Sequence, residues 1–372
     1  MNGNEFLYCT PTVFVVGKEY EILINLKAFG ICFVKIGEAL YYEENSGVLP
    51  SERTVVKIRV PQGVLDAAKG YEVVFREDNE RKSYWSTFLP PKSAKFSFKP
   101  LEKTADIRIY HLADVHYGFE GAKQTAAYWG EETDLFIMNG DIGEVETVQN
   151  YLEVCAFAGE VSGGSVPVLF VRGNHDTRGR LSELFTTYFP CQGKDTFYTF
   201  EVGCICGVVL DCGEDKLDAS KEYDSSEDTP VEYLGLNRFH AYRRRQLEFL
   251  KGVQLDSGKI PLVVSHVCPA MTTTKPGGQF DIDRDVYTAW CAELDRIAPA
   301  FMLCGHYHIA FVMRPGDGRS LIPHTYPVVV GSKRSSGVYW GAAILLNREG
   351  AEVLFTDGEQ NVLEKHELDF QK

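Results

Sequence analysis

The chain has 372 residues, 44% of them hydrophobic and 24% charged, with a formal net charge of −14; that balance excludes a disordered or fibrous chain, and the length suffices for one large domain and one small one. The acidity is uneven, with 13 basic against 12 acidic residues in the first hundred and 25 against 40 in the remainder. An acidic major domain argues against sequence-independent binding to nucleic acid, which relies on basic surface to neutralise phosphates.

Met1 to Phe6 show no basic segment followed by an apolar one, so no secretory leader is expected, and no apolar run reaches membrane-spanning length. The ten cysteines are scattered without a Cys-x-x-Cys pair. They read as buried free thiols of a reducing cytoplasm in preference to disulfides or ligands, so the expected localisation is cytoplasmic. Tyr20 to Leu26, Ile31 to Ile36, Thr54 to Val60, Tyr71 to Phe75 and Lys95 to Phe98 alternate apolar and polar positions, the pattern of antiparallel strands with one buried face. These predict a small all-β sandwich over residues 1–100, similar to an immunoglobulin or fibronectin module. Pro90, Pro91 and Pro100 punctuate a hinge to a second domain over 101–372.

From Ile107 the pattern changes to near-continuous apolar runs, which suit strands covered on both faces. Ile107 to Ala113, Leu135 to Met138, Val166 to Val171, Pro261 to Val264 and Ala300 to Leu303 each run into polar residues of one kind. The endings read Asp114-Val-His116, Gly140-Asp141, Gly173-Asn174-His175-Asp176, Ser265-His266 and Gly305-His306-Tyr307-His308. Helices are predicted over Ala241–Lys251 and Val286–Ile297. The acidic, Ser- and Asp-rich stretch between Cys212 and Leu234 reads as an exposed loop that either covers a site's rim or is simply solvated. Pro327 to Val330, Val338 to Leu346, Glu352 to Phe355 and Val362 to Leu368 predict closing antiparallel strands.

In open α/β sheets, ligands gather beyond the carboxyl ends of strands, so these five endings are expected to point into one crevice. Carboxylates mixed with imidazoles suit borderline divalent ions such as Mn²⁺, Fe²⁺, Zn²⁺, Co²⁺ or Ni²⁺ better than all-oxygen Ca²⁺ or Mg²⁺ sites.

Asp-x-His, Gly-Asp, Gly-Asn-His-Asp, His and Gly-His-x-His, in that order, resemble the calcineurin-like metallophosphoesterases over roughly residues 107 to 310. The resemblance implies a four-layer α/β sandwich with mixed sheets flanked by helices and a centre of two divalent ions. Asp114, His116, Asp141 and His308 would hold one ion, and Asp141, Asn174, His266 and His306 the other, with Asp141 bridging. A hydroxide held by the ions would be the nucleophile. His175, left over from the ligands, would stabilise or protonate the leaving oxygen, with Asp176 orienting that imidazole and raising its pKa. The plain alternatives are an ordinary hydrogen-bonded His175 and a capping Asp176. Purple acid phosphatases place a Tyr ligand three residues after the bridging Asp, where this chain has Glu144, so a tyrosinate colour is not expected.

Arg178 either grips a phosphate oxygen or forms an ion pair. Lys333 and Arg334 read as a solvated turn within Gly331–Gly337. Tyr117 and Tyr307 either pack on a substrate or brace neighbouring imidazoles, and His111, His240, His324 and His366 are expected to be structural or exposed. The expected activity is metal-dependent hydrolysis of a small phosphate mono- or diester, manganese being one candidate ion. A nuclease of the same family and a non-catalytic scaffold are the rivals.

Overall fold

Apolar side chains at every second position build most of the first hundred residues as strands. In the computed structural model, residues 5–43, 47–217, 221–223, 230–232, 235–271, 281–335 and 338–370 are described. The N-terminal strands are β1 (Thr12–Val16), β2 (Glu19–Asn25), β3 (Gly30–Ile36), β4 (Ala39–Tyr41) and β5 (Val55–Pro61). Helix α1 (Gln62–Ala68) and strands β6 (Gly70–Arg81), β7 (Ser86–Phe88) and β8 (Lys92–Ser97) complete the region. The all-β expectation therefore holds apart from the two-turn α1.

These strands divide between two sheets. β3, β4, β6, β7 and β8 form a small antiparallel sheet, whose inner residues Val34, Ile36, Val73 and Phe75 pack on Ile22, Ile24, Ile58 and Val60 of β2 and β5. β2 and β5 continue through β1 into a much larger sheet, because β1 pairs in parallel with a strand more than 150 residues later, Phe14 lying opposite Val168. The large sheet thus runs across residue 100. β1 escapes a search for alternation because all five of its residues are buried.

The large sheet receives β9 (Ile107–Leu112), then, after α2 (Phe119–Ala126), β10 (Leu135–Asn139), and after α3 (Val148–Ser162), β11 (Val168–Val171). Helix α3 starts at a capping box, Thr147 Oγ1 accepting from Asn150 N while the Asn150 side chain accepts from Thr147 N, which satisfies two otherwise orphaned amides. The short turn α4 (Phe185–Tyr188) leads to β12 (Tyr198–Val202) and β13 (Ile205–Leu210), and a small hairpin pairs β14 (Lys221–Tyr223) with β15 (Pro230–Glu232). Next come α5 (His240–Gly252), β16 (Ile260–Ser265), α6 (Arg284–Ile297), β17 (Phe301–Cys304), β18 (Phe311–Met313), β19 (Val328–Val330) and β20 (Lys333–Ser335). β21 (Val338–Leu346), β22 (Gly350–Thr356) and β23 (Val362–Asp369) close the chain.

Two mixed sheets result. The large one runs β23-β22-β21-β9-β10-β11-β1-β2-β5, with β20 joined to β21, and the second runs β12-β13-β16-β17-β19-β18. Ile109, Ile137 and Leu169 of the first meet Val209, Leu262 and Leu303 of the second in one core. α2 and α3 cover the far face of the large sheet through Ala122, Tyr151 and Phe157, while α5 and α6 cover the second through Leu250, Trp290 and Leu294. Four layers, helix, sheet, sheet and helix, are the α/β sandwich expected.

Two local expectations change. Lys333 lies in a strand paired with β21, its Nζ 4.5 Å from the Trp340 ring centroid, and not in a solvated turn; residues 336 and 337 of that segment lie outside the described residues. The acidic stretch starts buried: Cys212, Glu214, Asp215 and Lys216 are each at most 5% exposed. Much of its remainder, 218–220, 224–229 and 233–234, lies outside the described residues.

Candidate metal centre

Five of the seven candidate ligands sit just beyond a strand where the backbone turns sharply. Asp114, His116, Asp141, His306 and His308 all have φ between 43° and 72°, a region that costs L-residues roughly 1–3 kcal/mol each and persists only where the surroundings hold it. Backbone bonds between the turns provide that hold. Asp114 N donates to Gly140 O (3.1 Å), His116 N to Asp141 O (3.0 Å) and Gly305 N to His266 O (2.9 Å). Gly173 allows the closest approach, since a Cβ there would lie 2.1 Å from Asp141 Oδ1.

β9, β10 and β11 deliver Asp114, His116, Asp141 and Asn174 from the large sheet, and β16 and β17 deliver His266, His306 and His308 from the second. The crevice is therefore the junction of two sheets and not the edge of one. Asp114 Oδ2 accepts from His306 N (2.8 Å) and Ser332 Oγ (2.6 Å). Its Oδ1 faces His308 Nε2 at 3.4 Å and His266 Nε2 at 3.6 Å. His116 Nε2 and His308 Nε2 approach to 3.3 Å. Asp141 divides its oxygens in the same way: Oδ1 accepts from His175 N (2.9 Å), leaving Oδ2 at 3.0 Å from His266 Nε2 and 3.9 Å from His116 Nε2. Ligand-grade atoms of Asp114, His116 and His308 lie within 4.8 Å of one another, as do those of Asp114, Asp141 and His266.

Asn174 tests whether these residues fit cations. Its Oδ1 lies 3.0 Å from His306 Nδ1 and 3.2 Å from Asp141 Oδ2, and a half-turn of the amide would satisfy both neighbours with hydrogen bonds from nitrogen. As it stands, two oxygens meet with no proton between them, and His306 Nδ1 adds a third lone pair when its proton sits on Nε2, an arrangement that suits a cation. The donor set of carboxylate, imidazole and amide oxygen suits divalent ions. Burial alone depresses the His266 imidazole, but the carboxylates of Asp141 and Asp114 outweigh it and push it up to about 10; a cation competes with that proton for Nε2.

Residues beneath the cluster aim it. His266 Nδ1 donates to Asn139 O (2.6 Å), which turns its Nε2 toward the carboxylates. The Asn139 amide, fully buried, reaches His111 Nε2 (3.1 Å), Leu303 O (3.2 Å) and Ser265 O (3.4 Å), tying β10 to β17 and β16 of the other sheet. Asn139 and Ser332 carry no motif in the sequence. Tyr307 stacks edge-on against His306, centroids 5.0 Å apart, and so braces an imidazole.

Asp176 is not the partner of His175. Its Oδ2 accepts from Gly173 N (2.7 Å) and Asp141 N (3.3 Å), closing the loop on itself. Burial, with the charge of Asp141, pushes its carboxyl up to about 7. The His175 ring instead lies edge-on to His116 at 5.0 Å, and burial takes its pKa down to about 4 against the opposing pull of Asp141, the reverse of the expected rise. Arg178 is engaged by Glu214 through two bonds (2.8 and 2.9 Å) and lies 3.4 Å from Asp215 Oδ1. Glu144 is exposed.

Two mixed sheets between helix layers, with Asp, His and Asn side chains meeting beyond the strand ends, define a phosphoesterase fold with a metal-binding cleft. The sequence profile of the calcineurin-like phosphoesterases matches residues 107–310, and the chain belongs to that family. Among solved structures it is similar to the purple acid phosphatase PPD1 from yellow lupin (Lupinus luteus), at 11% identity and a TM-score of 0.59, covering 98% of this chain and 74% of that one. It is also similar to PhoD, at 12% identity and a TM-score of 0.52, covering 99% and 93%. No curated protein matches the sequence. No helix among the described residues is long and apolar enough to cross a membrane.

Proposed function

We propose that the protein hydrolyses small phosphate mono- or diesters with two divalent ions bound in the cleft. The observation that carries this reading is the placement of Asp141 Oδ2. With Oδ1 taken by His175 N, Oδ2 faces His116, His266 and Asn174, residues of both ligand sets, so Asp141 would be shared between them. Asp114, His116 and His308 complete one ligand set, and Asn174, His266 and His306 the other. Divalent ions held by these residues would supply a nucleophilic water at neutral pH and charge stabilisation for an in-line displacement.

The chain's own groups have separate duties. Asp114 and Asp141 bring negative charge to the ions while their second oxygens are pinned by backbone and hydroxyl donors. His175, with its low pKa, is neutral at pH 7, so it assists the leaving oxygen as an N–H donor. Asp176 holds the turn on which Asn174 and His175 ride. Arg178, tied to Glu214 and Asp215, acts on the cleft wall; release from Glu214 would be needed for it to grip a phosphate.

The test is purified protein loaded with Mn²⁺, Fe²⁺, Zn²⁺, Co²⁺ or Ni²⁺ and assayed on chromogenic phosphate mono- and diesters. Turnover with at least one ion is expected, and metal bound without turnover on any ester favours a non-catalytic scaffold. His175→Ala should retain both ions while kcat falls roughly 10²–10⁴-fold; loss of metal in that variant would make His175 a ligand.

A further inference from the structure

Asp215 enters the cluster from the acidic stretch after β13. It is 1% exposed, and its two oxygens reach two different candidate ligands. Oδ2 lies 2.9 Å from His306 Nε2, and Oδ1 lies 3.4 Å from Asn174 Nδ2. We propose that Asp215 is a positioning residue that aims both Asn174 and His306 at the second cation, an inference that rests on the two-ion reading above.

An imidazole presents a lone pair on one nitrogen only when the proton is on the other. A carboxylate beside Nε2 draws the proton there, which leaves the His306 Nδ1 lone pair facing Asn174 Oδ1 and the cleft. The same carboxylate decides the amide. With Nδ2 beside Asp215 Oδ1, Asn174 Oδ1 turns toward Asp141 Oδ2, whereas the half-turned amide would set its oxygen against a carboxylate oxygen. The reversed amide oxygen would lie 3.2 Å from Arg178 Nη2, but that nitrogen already has Glu214 Oε1 (2.9 Å) and Asp215 Oδ1 (3.4 Å) as acceptors and so does not require the reversal. Asp215 is itself fixed, with Lys216 Nζ 3.2 Å from Oδ1. Its contacts run to Asn174 and His306 of one ligand set, whereas Asp114, His116 and His308 of the other take their orienting contacts elsewhere. Carboxylates that orient metal-bound imidazoles typically contribute about 10–100-fold to metal affinity.

The experiment is Mn²⁺ titration of the full chain, wild type against Asp215→Ala and Asp215→Asn, with bound metal counted after dialysis and melting temperatures recorded alongside. Two ions are expected in the wild type. In Asp215→Ala one site should weaken about 10–100-fold while the other keeps its affinity, and Asp215→Asn, which retains an acceptor for Nε2–H, should weaken that same site by less. Unchanged affinity at both sites in Asp215→Ala overturns the proposal, and so does equal weakening of both with a fall in melting temperature, which marks a merely structural residue. If Asp215→Ala does not fold, unchanged affinity at both sites in Asp215→Asn overturns it. A wild type that binds no metal would remove the two-ion reading and this inference together; two ions in the wild type with unaltered variants removes this inference alone.

Discussion

His111 lies beneath the cluster, wholly buried, its Nε2 accepting from Asn139 Nδ2. Burial takes its imidazole from an ordinary value of 6.5 down to about 3. Between those values the unfolded chain binds a proton that the folded chain refuses. Stability is therefore full above pH 6.5 and declines as pH falls toward 3, by about 1.4 kcal/mol per pH unit from this group. Urea midpoints of chelator-treated protein at pH 7, 6 and 5 should fall more steeply for the wild type than for His111→Gln, which keeps an acceptor for Asn139 but cannot titrate. Parallel slopes would show that the acid sensitivity lies elsewhere.

At the scale of elements, the turns matter more than the strands that carry them. Gly173→Ala places a methyl 2.1 Å from Asp141 Oδ1, so Asp141 must move; about 1–3 kcal/mol of destabilisation and loss of bound Mn²⁺ are expected. Gly163, the αL cap of α3 with nothing within 4 Å of its missing Cβ, is the control. Gly163→Ala should lower stability by about 1 kcal/mol and leave metal content unchanged, as calorimetry and metal analysis would show.

The strands that end in candidate ligands were legible because burial on both faces makes their sequences continuous apolar runs, with the ligands directly after them. The same burial hid β1, whose Thr12–Val16 neither alternates nor ends in a ligand. Adjacency misled at Asp176, because its side chain turns back to Gly173 N instead of onward to His175. Composition misled at Asp215: an acidic stretch reads as solvated, and only the fold reveals that its first residues are buried against His306.

For the whole molecule, the consequence of β1 is that the first hundred residues are structurally continuous with the metal-binding region. Removing them would strip β1 from β11 and expose a parallel strand edge beside an apolar face, the kind of surface that aggregates. A chain of residues 101–372 is expected to be insoluble or to lack a cooperative melt, whereas a self-sufficient catalytic domain would melt near the full-length temperature. Expression, circular dichroism and scanning calorimetry distinguish the two.

The register of Phe14 against Val168 also imposes an order on synthesis. Chains emerge at about 5–20 residues per second and fold N-terminal part first. Thr-Val-Phe-Val-Val, an uncharged strand-former of the kind that seeds cross-β pairing, therefore waits many seconds for its partner to leave the ribosome. During that interval the nascent chain is most exposed to chaperone capture or to pairing with a neighbour on the same messenger. Slowing translation between residues 17 and 168 should lower the soluble yield more than an equal delay after residue 171.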